Sequence, residues 1–312
     1  MSWKKTAGEA AVDLVKSENV QNKTLELLGM LFPYLGIKKK VVDMYEEEIR
    51  NSDLSTEMKA YLLYNAKKTL KRLKNQKNIA DIAKNNAKEG TDFSEKSGVD
   101  EEWFDRFMES ASFVSSDEMQ MVWGKILANE FEKPGCTPPN MTRILSEFTN
   151  TYAKAFRTLC SMRVLFVTLT KEDKVESANW INIIVYNKNK EYMENMGLSF
   201  DVMNELETLG VIKFGSLTGY VTTSLKNKKV LIYCDGNVIE TNLLRRDDYP
   251  VGHVFFTKAG EALKNITEPY QLEGYEEVVK KYLISNSVSV AEKSSYKILL
   301  SGDNVQVLKE NA

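Results

Sequence analysis

Thiol chemistry needs a cysteine beside a base, and the chain offers Cys136, Cys160 and Cys234 against a single histidine, His253. Such a base would draw off the thiol proton and leave a nucleophilic sulfur; the same residues also read as small core side chains and a strand histidine. The triplet Glu172-Asp173-Lys174 has the E-x-K form of a nuclease element. Glu57-Met58-Lys59 repeats that form within a helical pattern, so the form arises cheaply. Neither GxxxxGK[ST] nor GxGxxG occurs, which leaves a phosphate-cradling nucleotide site unsupported. The pair Asp117-Glu118 is better explained by helix capping than by acid-base work. With three cysteines far apart and no CxxC, neither a disulfide framework nor a zinc module is expected, and a reducing cytoplasm is the natural compartment. These residues indicate no catalytic site, cofactor, metal or small molecule. An unrecognised enzyme such as a divergent nuclease is the third of three readings.

Charge supplies the second. Lys67, Lys68, Lys71, Arg72, Lys74 and Lys77 form a basic patch with no acid among them, although the whole chain carries a net charge of only -2. A patch of this kind can bind phosphates, each neutralised phosphate adding to the salt dependence. The following helix exposes Asp100, Glu101, Glu102, Asp105 and Glu109, so charge pairing within the chain or between subunits competes with nucleic acid.

The elements that position these groups are mostly helical at first. A helix opening after Ser52 or Asp53 carries Leu54, Met58, Tyr61, Leu62, Leu70 and Leu73 at helical spacing, with the lysines outward. A polar linker, residues 85–97, leads to Trp103, Phe104, Phe107, Met108 and Ala111 on one helical face. Ser115 or Ser116 then caps a helix with a stripe of Met119, Val122, Trp123, Ile126, Leu127 and Phe131, stopped by Pro134-Gly135. Asn140 opens another bearing Met141, Ile144, Leu145 and Phe148, and the short connection predicts a helix hairpin. Glu130 sits at the stripe's edge, either anchoring a partner or reaching solvent or a neighbouring basic group.

Nearer the start, residues 27–37 form an uncharged, strongly apolar run, holding Leu31, Phe32, Tyr34 and Leu35 ahead of Lys38, Lys39 and Lys40. It is far short of the ~20 residues of a spanning helix. It could meet an anionic membrane surface, or be buried against neighbouring helices or an identical subunit. Acidic Glu9, Asp13 and Glu18 argue against a signal peptide.

Beyond residue 160, residues 164–169 (VLFVTL) fit either strand or helix, whereas the β-branched run 180–186 (WINIIVY) favours strand. Ser199 caps a helix ending at Gly210, VIKF follows as a strand, and HVFF precedes a helix capped by Thr257. Between them VTTSL and KKVLIYC are expected to pair around Lys226–Lys228. A helix through Tyr275, Val278, Val279, Tyr282 and Leu283 leads to two strands, YKILL and VQVL, separated by SGDN.

The run DEMQMVWGKILANEFEKPG, followed by a helix with TRILSEF, resembles the hallmark of bacterial proteins grouped as domain of unknown function twenty-eight zero six. Its central helix is also similar to that of abortive-infection alpha proteins associated with phage defence. Lys125 stands where the family pattern has Arg, and Cys136 where Ser is usual. The LETLGVI and FFTKAGEAL phrases resemble a winged-helix domain with an enlarged wing. The candidate recognition helix exposes Asp201, Glu205 and Glu207 and no base, which disfavours groove reading; Lys226, Lys228, Lys229, Arg245 and Arg246 keep DNA binding through the wing open.

The expected architecture is mainly α with an α+β C-terminal part. A helical N-terminal region spans 1–90, a central helical hairpin 91–160, and a winged-helix-like α+β domain 161–312. The first functional reading is a non-enzymatic bacterial protein acting through protein contacts or self-association, with antiphage defence implied by resemblance alone. Its candidate contacts are Leu31, Phe32, Tyr34, Leu35, Trp123, Glu130 and Phe131. The second is a nucleic-acid-binding regulator using Lys67, Lys68, Lys71, Arg72, Lys74 and Lys77, or the wing.

Overall fold

Ser55, rather than Ser52 or Asp53, opens the basic helix. Its hydroxyl accepts the Met58 amide at 3.3 Å, and α1 runs from Thr56 to Asn86. The structure, a computed structural model, describes residues 46–94, 97–186, 189–243, 247–301 and 304–309. Leu31, Phe32, Tyr34, Leu35, Arg245 and Arg246 lie outside them. The chain divides into two compact units, residues 1–146 and 147–312.

In the first unit, Asp100 caps α2 (Glu101–Ala111) by accepting the Trp103 amide at 2.7 Å, and Ser116 caps α3 (Asp117–Glu132). Both helices bury the apolar faces that their spacing predicts. The main partner of α3 is α1 along its length, not the expected hairpin partner α4 (Met141–Glu147). Gly124 is the reason. A Cβ there would lie 2.6 Å from Ile82 Cβ and 3.1 Å from the Ile79 carbonyl, so only glycine admits α1 at this distance. Aromatic rings fill the space beside the crossing: Trp123 meets Phe107 at 4.8 Å, and Phe131 meets Phe93 at 5.0 Å and Phe104 at 6.0 Å. Phe93 therefore pins the segment whose polar composition suggested a free linker.

A buried amide network closes the joint. Asn75 donates to the Ser112 carbonyl at 2.8 Å, Gln76 to the Met108 carbonyl at 2.8 Å and Gln120 to the Val114 carbonyl at 2.9 Å. Gln120 also reaches Asn75 at 3.3 Å and accepts from Asn78 at 3.2 Å. Carbonyls at a helix end lack intrahelical donors; here side-chain amides of α1 and α3 satisfy those of Ser112 and Val114, just past α2, while Gln76 adds a second donor to the Met108 carbonyl, which also accepts the Ser112 amide.

The second unit is mixed. After α5 (Asn150–Ser161) come β1 (Arg163–Leu169) and β2 (Val175–Asn182), which settles VLFVTL as strand; of WINIIVY, residues 183–186 are buried but irregular. Next follow α6 (Lys190–Asn195) and α7 (Phe200–Leu209), the latter capped by Ser199 and ended at Gly210 with φ +87°. The remaining strands are β3 (Ile212–Phe214), β4 (Tyr220–Thr222), β5 (Lys229–Cys234), β6 (Asn237–Glu240), β7 (Tyr249–Gly252) and β8 (Val254–Phe256). Then α8 (Lys258–Asn265), α9 (Tyr275–Ser285), β9 (Tyr296–Ser301) and β10 (Asn304–Lys309) complete the order.

All described strand pairs are antiparallel, in small sheets. The four-stranded sheet has the order β2-β1-β5-β6, while β3 pairs with β8, β4 with β7 and β9 with β10. The expected pairing of VTTSL with KKVLIYC is therefore corrected. KKVLIYC becomes β5, whose Val230–Ile232 core is buried by joining β1, and VTTSL supplies β4, which finds β7 instead. Tyr296 and Ile298 of β9 cover Leu165, Val167, Leu169 and Leu231 on one face of the sheet. Among the described residues no helix is long and apolar enough to cross a membrane.

Ordinarily Gly→Ala inside a helix stabilises by about 1 kcal/mol. Gly124→Ala is expected to do the reverse, costing about 1–3 kcal/mol through overpacking against Ile82; urea denaturation beside wild type decides the sign.

Candidate functional site

The packing of α1 stops halfway. Its buried residues are Asn75, Gln76, Ile79, Ala80 and Ala83, and no residue from Thr56 to Lys74 is buried. Tyr61 is 62% exposed, Tyr64 64% and Met58 47%. Leu54, Met58 and Tyr61, expected on a buried stripe, thus stand in solvent, because α3 and its rings meet the helix only from Asn75 onward. Leu62, Leu70 and Leu73 are half-buried.

Lys67, Lys68, Lys71, Lys74 and Lys77 are exposed along the same helix. Arg72 lies over the Phe113 ring at 4.5 Å, and Lys77 pairs with Asp81 at 2.6 Å. Among the described residues no ion pair joins Lys67, Lys68, Lys71 or Lys74 to the acidic face of α2, where Glu102 instead pairs with Arg106 of its own helix at 3.2 Å. Aromatic, thioether and ammonium groups thus share the exposed surface of residues 56–74.

The other nominated contacts are interior, and their reading as a contact surface is corrected. Trp123 and Phe131 are fully or almost fully buried at the α1–α3 joint, where no partner reaches them. Glu130, 3% exposed, neither meets solvent nor a basic group. Its carboxylate accepts the Gly135 amide at 2.5 Å and the Thr137 amide at 2.8 Å, with Cys136 Sγ 3.7 Å away. Gly135 takes φ +79°, a turn that lets two amides of one loop converge on a single carboxylate. Burial and the Glu130 charge raise the Cys136 thiol pKa, so the thiolate is disfavoured.

The E-x-K triplet is a fastener. Glu172 and Lys174 pair with each other at 2.8 Å on the exposed turn between β1 and β2. Asp173 accepts the Tyr296 hydroxyl at 2.8 Å and pairs with Lys309 at 2.8 Å, which holds its carboxyl below the usual range and ties the β9–β10 hairpin down. Cys160 and Cys234 are buried, and burial pushes both thiols up to about 12. Among the described residues no group of three or more His, Cys, Asp or Glu could hold a metal ion.

His253 is buried between β7 and β8: its Nδ1–H donates to the Ile184 carbonyl at 2.6 Å, and its ring lies 5.8 Å from that of Tyr282. Gly252, φ +94°, allows this approach, since a Cβ there would come within 2.7 Å of Ile183 Cα. On α7, Asp201 and Glu205 are exposed, and Glu207 accepts the Phe214 amide at 3.0 Å.

These features describe a two-unit α/β protein whose described first unit is helical, with α1 buried only from Asn75 onward. The chain belongs to the family described as Protein of unknown function (DUF2806), whose model matches residues 64–280. No curated protein and no solved structure matches it.

Glu130→Gln removes one of the two acceptors and leaves a buried loop amide unpaired, which costs about 1–3 kcal/mol. Denaturation should show that loss, and Cys136 should react faster with a thiol reagent at constant pH. For His253 the sign follows from burial, which holds the folded pKa below the ordinary value near 6.5. The unfolded chain therefore takes up the proton first, and stability present above that pH falls as pH drops through it. The stability gap between wild type and His253→Gln should shrink from neutral pH towards acid.

Proposed function

We propose that this is a non-enzymatic protein acting by protein contact, and that the first half of α1 is the contact element. One observation carries the reading: a helix continues from Lys74 back to Thr56 with no residue buried, yet keeps Met58, Tyr61 and Tyr64 on its surface. Most helical stability in proteins comes from packing an apolar face, so an unpacked half-helix is matched to a partner that packs it. Tyrosine is also favoured in interfaces, being apolar in body and polar at its tip.

The module of α7, β3, β8 and α8 belongs to the same reading. Its order of helix, strand, return strand and helix supports a winged-helix-like unit used for structure or protein contact. The carboxylates of Asp201 and Glu205 on α7 would repel phosphates. A cytoplasmic setting fits the three free cysteines. An antiphage role rests on the resemblance of the central helix alone.

A second reading, nucleic-acid binding, is favoured by Lys67, Lys68, Lys71 and Lys74, which have no ion-pair partner among the described residues, α2 included.

The double variant Tyr61→Asp/Tyr64→Asp should lose its protein assembly, whether with itself or with a co-purifying chain, while keeping wild-type helicity and melting temperature. Unchanged assembly would sink the reading. Fluorescence anisotropy with labelled duplex DNA, single-stranded DNA and RNA separates the second: binding at physiological salt that is abolished by Lys67→Glu/Lys68→Glu/Lys71→Glu/Arg72→Glu would replace the first.

A further inference from the structure

The exposed half of α1 carries a seam that reads as its own complement. Glu57, Tyr61, Tyr64 and Lys68 follow one another at i, i+4, i+7 and i+11. This alternation of fours and threes keeps residues on one stripe of a helix and is the spacing by which two helices interlock. All four are exposed, and neither Glu57 nor Lys68 has an ion-pair partner among the described residues. The spacing is a palindrome, with two tyrosines at its centre and opposite charges at its ends.

From this we propose that the partner of α1 is a second copy of this chain, whose α1 lies antiparallel to it along residues 57–68. The proposal rests on the contact reading above and names its occupant. In the antiparallel pair, Tyr61 of each copy meets Tyr64 of the other, and Glu57 at either end faces the partner's Lys68. The parallel arrangement sets Lys68 against Lys68 and Glu57 against Glu57, which opposes it. Lys71 follows Tyr64 by seven residues and so continues the stripe beyond Lys68, whereas Lys67 and Lys74 lie to one side of it and remain exposed. At about 1.5 Å per residue the seam is only about 16 Å long, so the dimer is a modest one that forms and dissociates with concentration.

The test is sedimentation equilibrium of the full chain across the micromolar range, for wild type, Glu57→Lys, Lys68→Glu and the double swap Glu57→Lys/Lys68→Glu. Wild type should be a monomer–dimer mixture. Each single swap makes two like-charge contacts per dimer and should weaken association by about tenfold or more. The double swap restores opposite charges at both ends and should return it to near the wild-type value. A different partner, whether another protein, a nucleic acid or another segment of the chain, gives no reason for that rescue.

A wild type that stays monomeric overturns the inference, as does a dimer that the single swaps do not weaken or the double swap does not restore. The contact reading fails separately. It survives a monomeric wild type if Tyr61→Asp/Tyr64→Asp releases some other co-purifying chain, and it falls if those changes release nothing.

Discussion

The close approach of α1 and α3 at Gly124 is the constraint on which the first unit depends. With no Cβ at that position, Ile79 and Ile82 settle directly on the α3 backbone. That proximity brings the amides of Asn75, Gln76 and Gln120 within reach of the carbonyls that end α2. Each of these amides is then paired while buried, where an unpaired one would be costly. Because the amides fit only one register, α1 cannot slide along α3 without exposing all of them at once. Among the described residues the buried part of α1 begins at Asn75, and residues 56–74 are half-buried or exposed.

The second unit uses a comparable device with different chemistry. Tyr275 is buried, and its hydroxyl donates to the carbonyls of Met162 and Ile183, at the exits of α5 and β2. Burial raises its pKa well above the ordinary value, so it stays a neutral donor. Tyr282, two turns on, accepts the Gly252 amide at 3.0 Å, next to the His253 bond to Ile184. Thus α9 fixes, through two hydroxyls, the irregular run 183–186 that follows the edge strand β2.

Much of the fold was legible in the sequence where a local rule decided the matter. The caps at Ser116, Ser199 and Thr257, the apolar faces of α2, α3 and α9, the stop at Gly210 and the β9–β10 hairpin all follow from periodicity and turn chemistry. Strand partners were not legible, because β5 reads as a good neighbour for β4 by sequence distance and yet buries both its faces only by joining β1. The candidate site was half legible. The lysine row stood out by charge, but Tyr61 and Tyr64 were hidden, since helical spacing does not say which half of a long amphipathic helix is packed. The signal lay in Asn75 and Gln76, polar residues on the packed face, which mark where α1 enters the core. Glu130 misled for the opposite reason: a carboxylate at a stripe edge looks like surface until the loop beyond it folds back and supplies two donors.

That loop changes what belongs to what. Residues 133–137 carry proline and glycine and have the composition of a segment that opens readily, yet their amides hang from a carboxylate seated inside α3. Opening the loop would strand a buried charge, so its local unfolding is not separable from that of the helix. In cooperative terms the loop is the last turn of α3, and it fails only when the helix does.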